Sequence, residues 1–200
     1  MTDITQAVSA VLPAADSVFN LSDLKIDKTV ASAGKWMEVE RAPNGLTYIE
    51  LLVISTDAAK AYNSEVREWA TNRFEKHGSG QKDMASFFAK NSAASEAFTK
   101  ETARLCAKHL VKGWRQFYPT LDANGNPQFD EETGDVVGTF LQDNGVNVIS
   151  DGNSWLKFNS GTAHAVLSSN DEWVGKIAAF AQDKNNYRAE QVKDKSSIAA

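Results

Sequence analysis

One cysteine in 200 residues, Cys106, excludes an internal disulfide, and its isolation fits a reducing compartment. Histidine is nearly as scarce. The three present are scattered, with no HExxH pair, so a zinc enzyme is not expected. Cations do not dominate either: 21 Lys and Arg against 26 Asp and Glu leave a net charge of -5. That balance argues against a broad electrostatic footprint for DNA, RNA or an anionic lipid surface. No long apolar run exists. The best, "YIELLVI", is broken by Glu50 and falls far short of the roughly 20 residues of a membrane span. The amino terminus, "MTDITQAVSAVLP", has no basic n-region of the kind a secretory signal carries. These absences lead us to expect a soluble, cytoplasmic protein with neither nucleic acid nor membrane as partner.

What is there is ordinary for a globular chain: 42% hydrophobic and 24% charged residues, enough to bury one core. Asp3 to Leu12 has the spacing of a short amphipathic helix, closed by Pro13, and residues up to 33 read as a linker. From Gly34 the period changes. "KWMEVE" and "LTYIELLVIST" flank "RAPNG", where Pro presets φ and Gly accepts a positive one, so a β-hairpin is predicted over 34–56. Its second strand carries Ile49, Leu51 and Val53 on one face and Tyr48, Leu52 and Ile54 on the other, which implies cover on both sides.

Helices are predicted over 57–117. The first is capped by Thr56 or Asp57 and carries Tyr62, Val66, Trp69 and Phe74; a short one carries Met84, Phe87 and Phe88. The longest spans about Ser95 to Phe117, with Ala103, Cys106, Leu110, Trp114 and Phe117 at steps of three or four. A turn-rich β segment follows over 118–158, with strand-like "DVVGTFL" and "NVIS". C-terminal helices over 159–188 start at Ser160 and Asn170, and 189–200 is a polar tail. The fold class is α+β: an N-terminal hairpin or small antiparallel sheet packed on a mostly helical body.

Four carboxylates, two asparagines and two glycines crowd into "DANGNPQFDEETG", as in a calcium loop. An EF-hand needs Gly at the sixth position and Glu at the twelfth; counted from Asp122, those positions hold Pro127 and Thr133. A turn with solvated carboxylates is the better reading. Cys106 lies on an apolar helix stripe with His109 three residues on, where core packing outweighs a thiol–imidazole pair. His77 closes a helix, and His164 has no second ligand nearby. "GSGQK" lacks phosphate-loop spacing and reads as a connector, and the sequon at Asn20 has no role in a cytoplasmic chain. No catalytic, cofactor or metal residue is assigned.

Five tryptophans and ten phenylalanines serve core packing by default, with an interaction surface as the alternative use. Trp114 and Trp173 fall on buried stripes. Trp155 sits among turn residues and is the best candidate for an exposed ring.

The order of these features resembles the tail assembly chaperones of long-tailed bacteriophages. It is carried by a strand opening "GKWMEV", a helix with "AKAYNSEVREWATNRF", a helix ending "HLVKGWRQF", the turn "DANGNPQF", a helix start "FNSGTAHAVL" and a last helix "DEWVGKIAAFAQDKNNYR". Gly113 and Trp114 match a Gly-Trp at the helix end. Phe158 and Ser160 match the helix start, and Trp173, Asn186 and Tyr187 match the final helix. The likeness covers about 34–188, with an added strand-like piece around Val136 to Ile149. It implies a non-enzymatic protein of the host cytoplasm that binds the tape-measure protein and tail-tube subunits. A partner helix would then sit on apolar anchors, for which Trp155, Trp114, Trp173 and Tyr187 are the candidates. A structural tail or neck component of the virion is the alternative, and a small enzyme with a site assembled from distant residues a third.

Overall fold

The computed structural model describes residues 26–55 and 57–188. The helix expected over Asp3 to Leu12, Asn20, the Thr56 cap and the polar tail lie outside them. The fold is α+β, with six helices and two antiparallel sheets among the described residues. The expected hairpin forms from β1 (Lys35–Arg41) and β2 (Tyr48–Val53). Its turn works as the residues suggest: Asn44 Oδ1 accepts from the Leu46 and Thr47 amides, and Gly45 sits at φ 72°.

Helix α2 (Asp57–His77) is followed by α3 (Met84–Lys90) and α4 (Ser92–His109). Here one expectation is corrected. The long helix stops at His109, and "VKGWRQFYP" is instead a strand, β3 (Val111–Pro119), paired with β2 on one side and β4 (Gly138–Phe140) on the other. Leu110, Trp114 and Phe117 have helical spacing. However, a glycine inside a helix costs about 1 kcal/mol, and aromatics suit a strand with partners on both edges. The Gly113–Trp114 pair expected at a helix end therefore lies within a strand. Only Leu110 separates α4 from β3; its carbonyl accepts from the Ile54 amide at 2.9 Å.

The first sheet runs β1-β2-β3-β4. A second, β5 (Gln142–Asp143), β6 (Val146–Ser150) and β7 (Trp155–Lys157), follows at once. Then come α5 (Ser160–Ser168), α6 (Asp171–Gln182) and a 3-10 turn, Lys184–Tyr187. Helix α5 is opened by an Asn159–Thr162 capping box. The last helix ends at Gln182 rather than near Arg188, and its N-cap Asn170 makes no side-chain cap bond, because the amide nitrogen donates back to the Val166 carbonyl. The stretch 28–33, expected as linker, forms α1 (Lys28–Ala33), since Asp27 Oδ1 caps the amides of Thr29 and Val30.

The core lies between the inner face of the first sheet and the helices. Val39, Leu51, Val53, Val111 and Trp114 meet Leu105, Cys106, Leu167, Trp173 and Ile177 there. Helix α4 is the hub, touching α2, α3, α5, α6 and β3. A satellite aromatic cluster fills the gap between α2, α3 and α4: Phe88 lies 5.1 Å from Phe98 and 5.0 Å from Phe87, with Trp69 beside them. In β1 a bulge between Glu38 and Glu40 keeps Val39 in the core. It also lets Glu40 accept from Trp173 Nε1 at 3.2 Å.

Candidate protein-interaction surface

Among the described residues every exposed large apolar side chain falls between Tyr118 and Trp155: Tyr118, Leu121, Phe129, Val137, Val146 and Trp155. The helices contribute none. The same part of the chain is acidic. From Gln116 to Leu156 there is no Lys, Arg or His, against five carboxylates between Asp122 and Asp135 plus Asp143 and Asp151.

Residues 120–137 form an arm that extends the first sheet past β3 and β4. Thr120 donates its amide to the Val137 carbonyl, Gln128 to Thr120 and Val137 to Gln128. Isolated bridges join Leu121 to Pro127 and Phe129 to Val136. Aspartates tie its two tips. Asp122 Oδ1 accepts from the Asn124 and Asn126 amides at 2.8 Å each, and Asp130 Oδ1 from those of Glu132 and Thr133. The backbone amides of Asn126 and Thr133 are the first causes that hold these two carboxyls below their ordinary value, so both stay ionised. The calcium-like stretch thus spends Asp122 and Asp130 on turns.

Side chains alternate across the sheet, so the face turned away from the helices can be followed from strand to strand. It carries Trp36 on β1, Leu52 and Tyr48 on β2, Phe117 on β3 and Phe140 on β4. The arm continues it with Leu121 and Phe129, which are 52% and 56% exposed. Tyr48 stacks on Phe117 at 4.8 Å, and Phe117 meets Phe140 edge-on at 5.6 Å. The Arg115 guanidinium lies between Trp36 and Phe140, 4.1 and 4.0 Å from their ring centres, while its Nε donates to Glu50 at 2.6 Å. Arg41 covers Tyr48 and pairs with Glu38. Both arginines of the face are therefore matched by a glutamate, while among the described residues no salt bridge reaches the arm's carboxylates.

Of the four rings expected to contact a partner, three are buried. Trp114 is 2% exposed, donates Nε1 to the Leu156 carbonyl at 3.0 Å and lies edge-on to Phe158. Trp173 is buried, with its indole N–H on Glu40. Tyr187 is fully buried; its hydroxyl donates to the Val53 carbonyl at 3.3 Å, and burial pushes its pKa up. Each polar tip has an internal partner, which is how large amphipathic rings become core residues. Trp155 alone is at the surface, 57% exposed on β7. Leu121 and Phe129 escaped the sequence reading. The signal that could have found them is apolar residues set among turn formers in the long stretch without a cation.

Cys106 has no exposed surface, and burial pushes its thiol up to about 12. His109 faces Glu65, with Nε2 at 2.9 Å from Oε1, and Lys108 bonds both oxygens of the same carboxylate. His77 is the last residue of α2, and His164 lies on α5. A depression of about 1070 Å³ sits elsewhere, beside Ile26, Ser55, Lys60 and Lys184. No helix of the described residues is long and apolar enough to cross a membrane. Comparison of the chain with protein-family models, with curated proteins and with solved structures finds no match.

Proposed function

We propose that the chain works by holding the apolar surface of another protein, making and breaking no bond, in the role of a tail assembly chaperone of a long-tailed bacteriophage. In the host cytoplasm it keeps the tape-measure protein soluble and helps bring tail-tube subunits to it. The observation that carries this reading is the gathering of every exposed large apolar side chain of the described residues into 118–155. Exposed large apolar side chains concentrated in one segment give that segment surface a partner can cover. The order of sequence motifs supplies the identity of the partner.

Co-expression with the tape-measure protein of the same phage tests it. Soluble yield of that protein is expected to rise and the two to co-purify; insoluble tape-measure protein with the chain alone in solution would end the reading. The second sheet, β5 to β7, favours a second reading, a structural tail or neck component, because it gives the added segment a built surface rather than a bare loop. Mass spectrometry of purified particles separates the two, since only a structural component is retained.

A further inference from the structure

The outward face of the first sheet is an apolar layer that the described residues cover only in part: Phe117 is buried, while Trp36, Tyr48, Leu52 and Phe140 are partly exposed. Its inward face is covered by α6, whose Trp173, Val174 and Ile177 sink into the core. On the outward side Leu121 and Phe129 stand largely in water, next to the partly covered layer from Trp36 to Phe140. Strands lie about 4.8 Å apart, so four of them offer a face roughly 14 Å across. That is room for one α-helix, about 10 Å in diameter. Helix on sheet is also how this fold closes its other side.

Charge decides the occupant. The face's own arginines are paired with Glu38 and Glu50, and the neighbouring arm brings five carboxylates with no cation of its own. Residues 1–25 hold Asp3, Asp16 and Asp23 against Lys25 and so bring no excess of positive side chains. A second copy of the chain brings another net -5. Resting on the reading that the chain binds a partner, we propose that this face docks a basic amphipathic helix of another protein, apolar side on Leu121, Phe129 and the sheet's rings, lysines or arginines beside the arm. Fixed negative potential around an apolar seat steers such a segment in and turns acidic ones away.

The probe is a synthetic 18-residue helix with leucines on one side and lysines on the other, labelled for fluorescence anisotropy. Two controls go with it: the same peptide with glutamate for each lysine, and a shuffled lysine peptide with no apolar side. Two variants are compared with the wild-type chain. E131Q/E132Q/D135N removes three charges but leaves the turn bonds of Asp122 and Asp130 in place. L121S/F129S removes the exposed apolar pair. Unchanged circular dichroism and melting of both establish that they fold. The lysine helix is expected to bind the wild-type chain, more weakly as salt rises, and each variant to lose about tenfold or more in affinity. Equal binding of the glutamate helix, binding of the shuffled peptide, or wild-type affinity in either variant overturns the proposal. So does a dimer in sedimentation velocity that L121S/F129S dissolves, because the occupant is then a second copy. Tape-measure protein kept soluble equally by wild type and both variants would leave the chaperone reading intact and remove this face from it. Selective peptide binding without that solubility would do the reverse.

Discussion

The helices from Asp57 to His109 and the β region from Gln116 to Leu156 treat charge and apolar surface in opposite ways. The helices carry nine Lys and Arg against seven Asp and Glu. Many of these are matched at close range, as in Lys60–Asp57, Lys100–Glu96, Arg104–Glu101 and Lys108–Glu65. They leave no large apolar side chain exposed. Such solvated pairs contribute little stability individually, but they keep a surface inert. The β region has one sign of charge and, among the described residues, all the exposed rings. Here the first region supplies the packed body and the second the exposed apolar surface.

The largest break in that contrast is expected from Trp114→Ala, which empties the core between the sheet and the helices and strands the Leu156 carbonyl. It should cost about 3–5 kcal/mol in chemical denaturation; a loss under about 1 kcal/mol would mean the ring is not a core element. Gly138→Ala attacks the joint between body and arm, since a Cβ there would stand 2.3 Å from the Phe117 ring and 2.2 Å from the Tyr118 carbonyl oxygen. About 1–3 kcal/mol is expected, with faster amide exchange at Thr120 and Val137 and little change in α4. An alanine as stable as the glycine would show that the arm hangs free of the sheet.

Acid separates the regions more gently. The Asp122, Asp130 and Asp151 carboxyls are held below the ordinary value of 3.8, foremost by the backbone amides of Asn126, Thr133 and Asn153. Their contribution is complete above that value and is lost as pH falls through the lower folded values. Proton NMR should therefore show the turn amides of Asn124, Asn126 and Thr133 shifting below pH 3.8, before the amides of Leu105 and Cys106 exchange. Turn amides unmoved until the whole chain unfolds would contradict it. Smallest of all, Phe129→Ser should leave stability within about 0.5 kcal/mol, because its ring is already in water. A larger loss would make Phe129 a structural residue.

The hairpin was legible because alternation, β-branched residues and "PNG" all agree. The acidic stretch was legible as turns because Pro127 and Thr133 stand where calcium would need Gly and Glu. Beyond Leu110 the reading failed for a physical reason: Trp114 and Phe117 meet a helical period and a strand face equally well, and the pairing of β3 with β2 and β4 decides between them. β7 is three residues long between turns, too short to show a period. Trp155 could be placed at the surface from its turn-forming neighbours. Trp114 and Trp173 were readable as buried from their stripes, but the partners of their indole N–H groups, Leu156 and Glu40, lie 42 and 133 residues away, and Tyr187 could not be placed inside because Val53 is 134 residues away along the chain.

The single residue between α4 and β3 has a further consequence, for how much length the chain tolerates. Inserting one amino acid at Leu110 would turn every following side chain of β3 over, bringing Arg115 inward and Trp114 out. That junction is phase-locked. At Gly125 and Gly134 nothing stands within 4 Å of where a side chain would begin, so the tips can lengthen or carry a tag while the helical body keeps its register.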